Sequence, residues 1–204
     1  MRVVGGSARG ANLLLVPGEG TRPILDRVKT ALFDILRPRI EGMVMLDLFG
    51  GSGSVGIEAL SQGAARCTFI ERGHKAVATI KRNLELTGLA DRAAVVHMDA
   101  FQFLKTTEQV FDLIYIAPPQ YKRLWIEALQ RIEGRLAMPS GQGSESEEER
   151  EPGLAIVQID PKEYESVDLG AIRELRQKRY GNTLLVFFEN SRGDASGAQR
   201  DAVD

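Results

Sequence analysis

Residues 43–56, MVMLDLFGGSGSVG, decide how the chain is read. A short apolar run from Met43 to Leu48 carries one acid, Asp47, near its end. Phe49 and Gly50-Gly51-Ser52-Gly53 follow, and a helical pattern opens at Ile57. This is strand, glycine turn, helix. Residues without a Cβ let the backbone come close to a ligand, and a helix start offers unpaired N–H groups. Gly51, Gly53 and Gly56, with Glu71 further on, also fit the dinucleotide fingerprint, which by itself does not separate NAD from other adenosine cofactors. Asp47 tilts the choice. A carboxylate in the strand end suits a ligand with an amino group and a sulfonium, and suits a pyrophosphate poorly. The stretch is therefore read as an S-adenosylmethionine site.

Working outward, strands and helices alternate. Strands are expected at 43–48, 67–70, 93–97, 111–116 and 154–159, with a last one at 182–188 paired with 173–180. Helices are expected near 54–62, 73–87 and 121–133, with a short one after Phe101. Repeated βα units with short links specify an α/β, Rossmann-like doubly wound sheet, mostly parallel, with an antiparallel C-terminal edge. Such folds bind ligands at the carboxyl ends of their strands. Asp47, Glu71, Asp99 and Ala117 all stand there.

Before this domain (41–189), residues 1–40 form a small basic appendage. Val3-Val4 and Leu13-Leu14-Leu15 flank GGSARGAN, a hairpin pattern. Apolar residues at 24, 25, 28, 31, 32, 35 and 36 have helical spacing, with Thr21 or Arg22 near the cap, Pro23 in the first turn and Pro38 at the end. The segment carries seven basic residues against three acids. Arg9, Arg22, Arg27 and Lys29 are the candidate phosphate contacts, a reading that stands beside the plainer one of a solvated face.

Composition bounds the rest. The chain has 204 residues, is 43% hydrophobic and has a net charge of −2, so it has no overall basic signature of nucleic-acid binding. Five of the 28 acids sit in one segment, 139–152, which has no large apolar residue and is expected to be a disordered loop. The tail 190–204 is expected to be disordered too. Cys67 is the only cysteine, and with His74 and His97 it makes a poor metal set, so no metal is expected. No apolar run approaches 18 residues and the amino terminus has no leader pattern, so a reducing cytoplasm and a monomer are expected.

Three blocks carry a family resemblance: GTRPILDRVKTALFDIL (20–36), LDLFGGSGSVGIEALSQGA (46–64) and RYGNT (179–183). With them the chain resembles the bacterial 16S rRNA (guanine-N2)-methyltransferases over nearly all of residues 1–189. The resemblance implies S-adenosylmethionine as cofactor, and 16S rRNA or the assembling small ribosomal subunit as partner. It places Asp47, Gly50, Gly51 and Gly53 around the methionine part, Glu71 at the ribose, and Asp99 with Ala100 at the adenine, with Phe49 and Arg72 as further cofactor-binding candidates. After the fourth strand the family carries Asp or Asn, then Pro-Pro, then Tyr or Phe. This chain reads Ala117-Pro118-Pro119-Gln120-Tyr121, so only a backbone acceptor remains at the first position, and Tyr121 or Trp125 is the candidate aromatic clamp. A weakened or inactive RNA-binding relative, a DNA amino-methyltransferase and an NAD-linked oxidoreductase remain as alternative readings.

Overall fold

A computed structural model describes residues 1–18, 24–138 and 151–190. Thr21, Arg22 and Pro23, the acidic segment from 139 to 150 and the tail from 191 lie outside the described residues, so the expectations made for them are not addressed by it.

The chain builds one seven-stranded sheet in the order β3-β2-β1-β4-β5-β7-β6. β1 (Val44–Asp47), β2 (Arg66–Glu71), β3 (Ala93–His97), β4 (Leu113–Ile116) and β5 (Leu154–Ile159) are parallel. β7 (Thr183–Asn190) runs antiparallel to β5 and carries β6 (Ile172–Tyr180) at the edge. From β1 the chain steps out to β3, then returns beside β1 to start β4. The strand order therefore reverses between β1 and β4, where the carboxyl ends open a crevice.

Side chains alternate between two cores, as period 2 requires. Met45, Phe69, Tyr115, Ile156 and Phe187 point to a layer made by α1 (Asp26–Leu36), α2 (Ser54–Ser61) and α3 (His74–Thr87). Leu46, Ile70, Ile116, Val157 and Phe188 point to α4 (Ala100–Thr106) and α5 (Leu124–Arg131). Both faces being covered explains why the parallel strands read as unbroken apolar runs.

Two expected boundaries move. α1 starts at Asp26 behind Leu25, with no side-chain cap, rather than near Thr21. α5 starts at Leu124, not 121, because Tyr121 (φ 61°) and Arg123 (φ 53°) are left-handed and cannot join a right-handed helix.

The first residues form a hairpin closed by the Arg2–Asn12 bridge and by bonds between Val3 and Ala11. It does not stand apart from the domain. Val3 and Leu13, with Val28, Leu32 and Phe33 of α1, belong to the same core as β1. A buried ion pair fixes this arrangement: Lys29 Nζ lies 3.1 Å from Glu58 of α2, and neither side chain is exposed to solvent. Nζ also donates to Arg2 O and Ser54 Oγ. Glu58 accepts from the Val4 and Gly5 N–H groups and from Gln62. Lys29 is thus a correction to the sequence reading. It is enclosed in protein and cannot face a phosphate.

Removing one member of a buried, hydrogen-bonded pair leaves the other charge uncompensated, which typically destabilises by ~3–5 kcal/mol. Lys29→Ala is expected to lower unfolding free energy by about that amount. Adding Glu58→Gln to Lys29→Met should recover part of the loss. Urea unfolding of the variants checks this, and a Lys29→Ala loss below about 1 kcal/mol would contradict it.

Candidate functional site

The crevice at the strand ends holds about 640 Å³. Its floor is the β1–α2 turn. Gly53, the N-cap of α2, has φ 78°, a conformation that a Cβ disfavours. At Gly56 a Cβ would stand 2.3 Å from the Phe69 ring, so only glycine lets α2 pack this close to β2. The helix start and the ends of β1 and β2 are thereby brought together.

Asp47 lines the crevice, is 2% exposed and accepts one backbone bond, from Gly56 N–H at 3.3 Å. Among the described residues no basic side chain pairs with it. Its pKa is pushed up to about 7, mainly by burial, with Glu71 adding to the rise and the Gly56 N–H opposing it. The neighbouring Tyr115 phenol is raised well above its ordinary value, first by burial and then by the Asp47 carboxylate. Its hydroxyl donates to Gln158 of β5.

Glu71 uses both oxygens on backbone: Gly51 N–H at 2.9 Å and Gly73 N–H at 2.7 Å. This closes the glycine turn onto the end of β2 and fixes the carboxylate at the rim, with lone pairs to spare. Asp99 caps α4 through Phe101 and Gln102 N–H groups, both on one oxygen. The other oxygen remains available.

Asp47, Phe49, Gly50, Gly51, Glu71, Arg72, Asp99, Ala100, Ala117, Pro118, Pro119 and Gln120 all line this one crevice. Gly53 lies behind it as the helix cap. Tyr121 is 65% exposed and does not line it. Trp125 is wholly buried and stacks on Tyr164, with centroids 6.3 Å apart, so it packs α5 and is no clamp. Leu15, Val16 and Ile24 of the amino-terminal segment also line the crevice, as do Met98, Phe101, Tyr115 and Gln158, none of which the sequence reading singled out. Tyr115 and Gln158 had a usable signal: polar atoms in otherwise apolar strands, one residue before each strand end.

Of the four basic candidates Arg22 lies outside the described residues, and the other three do not form one surface. Arg9 is exposed at the hairpin turn, where Ala8 N–H bonds Ser61 at the far end of α2. Arg27 is exposed at the start of α1, and Lys29 is buried. Among the described residues no group of three His, Cys, Asp or Glu could hold a metal, and no helix is long and apolar enough to cross a membrane.

A doubly wound sheet with an unpaired buried carboxylate after β1, a glycine turn and acids after β2 and β3 defines a methyltransferase of the Rossmann-like class, which uses S-adenosylmethionine. Two chains of this fold, at 14% and 16% identity, were crystallised with S-adenosyl-L-homocysteine, a likeness of fold alone. The family described as "Conserved hypothetical protein 95" matches residues 1–189, and the chain belongs to it. The Bacillus subtilis protein named "Putative rRNA methyltransferase YlbH" is 34% identical over 192 residues, 93% of this chain and 98% of that protein. "Ribosomal RNA small subunit methyltransferase D" of Haemophilus influenzae is 37% identical over 65% of this chain and 70% of that protein. The solved structure titled "Putative methyltransferase yhhF from Escherichia coli" superposes with a TM-score of 0.78 at 28% identity, covering 93% of this chain and 97% of that one.

The raised Asp47 pKa has a consequence for stability. Between about pH 4 and 7 the folded chain keeps a proton that the unfolded chain releases, so stability falls as pH rises through this window. Asp47→Asn cannot ionise. Without cofactor it should gain stability relative to the parent as pH rises from 4 to 8, and urea midpoints across that range read the gap. A gap independent of pH would contradict the assignment.

Proposed function

We propose that the protein transfers a methyl group from S-adenosylmethionine to the exocyclic N2 of a guanine in small-subunit (16S) rRNA. One observation carries this reading: the Ala117-Pro118-Pro119-Gln120 turn lines the same crevice as Asp47, Glu71 and Asp99. An acceptor corner for an amine therefore faces the acids suited to the cofactor. The names of the relatives from Bacillus subtilis and Haemophilus influenzae support rRNA as substrate.

When bound, the cofactor supplies an electrophilic methyl on a sulfonium. The chain's contribution is binding and orientation. Asp47 is a buried carboxylate with no basic partner among the described residues, and the amino group and sulfonium of the methionine part favour its ionised form. The Gly50, Gly51 and Gly53 backbone gives close approach. Glu71, fixed by two N–H groups, accepts from ribose hydroxyls, and the free oxygen of Asp99 accepts from the adenine amine. Pro118 and Pro119 stiffen the turn after β4, so that the Ala117 carbonyl accepts one N–H of the target amine and aims its lone pair. The bound cofactor would supply the methyl to the oriented amine nitrogen, and the surplus amine proton would leave to solvent. Holding reactants in line supplies ~7–11 kcal/mol of such a barrier, so a single acceptor suffices for turnover.

Asp47→Ala and Glu71→Ala are each expected to weaken S-adenosylmethionine binding by ~1.5–3 kcal/mol, the size of a hydrogen bond to a charged group. Calorimetry reads it, with circular dichroism checking the fold. Unchanged affinity in both variants would remove the cofactor assignment.

Ala117→Asp restores a second acceptor for the amine. It should raise transfer to undermodified small subunits about tenfold, ~1.4 kcal/mol in the barrier, with little change in cofactor affinity. Loss of activity would mean a corner rebuilt around alanine. No transfer by either protein, on subunits that a relative methylates, would favour a binding role. Nucleoside mass spectrometry of the product identifies the methylated position.

A further inference from the structure

β6 is the outer edge of the sheet, and its residues from Arg173 to Arg179 are all exposed. It reads IRELRQKRY, with four basic residues against one acid. Arg173 is taken by Glu189, and Glu174 by Tyr164 and Gln177. Arg176, Lys178 and Arg179 have no acidic partner among the described residues. Arg176 Cζ lies over the Phe187 ring, 4.9 Å from its centroid, a cation–π contact that favours this placement of the guanidinium at the strand surface. Arg179 donates to Gly181 O and braces the two-residue turn to β7.

The position of this strand matters as much as its charge. β7 is antiparallel to β5 and pairs Leu184 with Ile159, the carboxyl end of β5. The β6–β7 turn therefore stands at the same end of the sheet as the crevice, beyond Gln158. Arg27 reaches it from α1: a Cβ on Gly181 would be 3.6 Å from Arg27 Nη2. From register, Arg176 and Lys178 share the α1 face with Phe187 and Leu185, while Arg179 shares the other face with Leu184. Cations without an acidic partner among the described residues thus run along the edge strand, on both of its faces, to the end of the sheet at which the crevice opens.

We propose that β6, with Arg27, is the surface along which the phosphate backbone of the RNA substrate runs as it leaves the crevice. The inference rests on the rRNA reading above and gives that reading a footprint which Arg9, Arg27 and Lys29 do not form by themselves. Cations spaced along an extended strand suit phosphates spaced along a nucleic-acid strand, and such contacts position without reading sequence. The plainer role of charges on an edge strand is to prevent sheet-to-sheet pairing between copies. That role requires no end-point at the crevice and no contribution from Arg27.

The test uses Arg176→Gln/Lys178→Gln/Arg179→Gln. Lys178→Gln/Arg179→Gln is a milder variant that keeps the Arg176–Phe187 contact, and Arg66→Gln/Lys81→Gln is a charge control away from the strand. Binding to a 16S rRNA fragment is followed by anisotropy from low to high salt, and S-adenosylmethionine binding by calorimetry. The triple variant should bind RNA at least tenfold more weakly at low salt, with the slope of log K on log salt shallower by about two. The milder variant should lie between it and the parent, and the control should match the parent. Cofactor affinity should not change, and methylation should lose KM rather than kcat. Parent-like RNA binding by the triple variant overturns the proposal, as does self-association as its only change. A parent protein that neither binds nor methylates rRNA overturns the substrate reading, and this surface with it.

Discussion

The buried pair of Lys29 and Glu58 ties three parts of the chain into one object. Lys29 comes from α1, Glu58 from α2, and the backbone groups they bind, Arg2 O and the Val4 and Gly5 N–H groups, come from the hairpin. Removing two charges from water is expensive, and here each charge is matched by the other and by backbone dipoles. Because α2 begins at the glycine turn, the pair also fixes what the turn rests on: Lys29 reaches Ser54, the first residue of that helix. The amino-terminal segment then passes on to the crevice, where Leu15, Val16 and Ile24 form part of the wall. A stretch that looks like an appendage in sequence is a wall of the site in three dimensions.

A second constraint runs the other way, favouring ligand over stability. Asp47 is buried with one long backbone bond and no basic partner among the described residues, and burial pushes its pKa up because the ionised form is disfavoured there. The core would be better served by an apolar side chain at this point of β1. An uncompensated group of this kind at a strand end is expected where a ligand completes the electrostatics. Glu71 differs. Its two backbone bonds make it part of the turn whether or not anything is bound, so loss of this side chain acts on the shape of the site as well as on its ligand.

The sheet was legible because parallel strands covered on both faces leave apolar runs, and because the strand ends carry acids. The antiparallel β6–β7 edge was legible from the short link between the two strands. Burial of a charge was not. Lys29 stands three residues before Leu32, four before Phe33 and seven before Leu36, on the buried face of α1, and Glu58 lies within a helix whose residues are all buried. Each looks exposed by type and buried by position, and only the pair resolves the conflict. The start of α5 was misplaced for a related reason. Nothing in Gln120-Tyr121-Lys122-Arg123 announces left-handed backbone, since that conformation is imposed by tertiary contacts rather than by glycine.

Those contacts bear on how a corner with alanine at its first position can work. A non-glycine residue held at positive φ costs of order 1–3 kcal/mol and persists only where its surroundings enforce it. Tyr121 N–H donates to Glu163 at 2.6 Å, and Arg123 pairs with Glu165, so the segment following β5 clasps the turn following β4. β5 also contributes Gln158, which accepts from Tyr115 beside Asp47. The corner is thus held from three sides: by its prolines, by the clasp and by α5 packed beneath it through Trp125. Ala117 has no side-chain acceptor to orient an amine, so at this position orientation must come from where the backbone carbonyl is held. Under the proposed reading the clasp acids are positioning residues: they hold Tyr121 and Arg123 in their strained backbone and so keep the turn in one place.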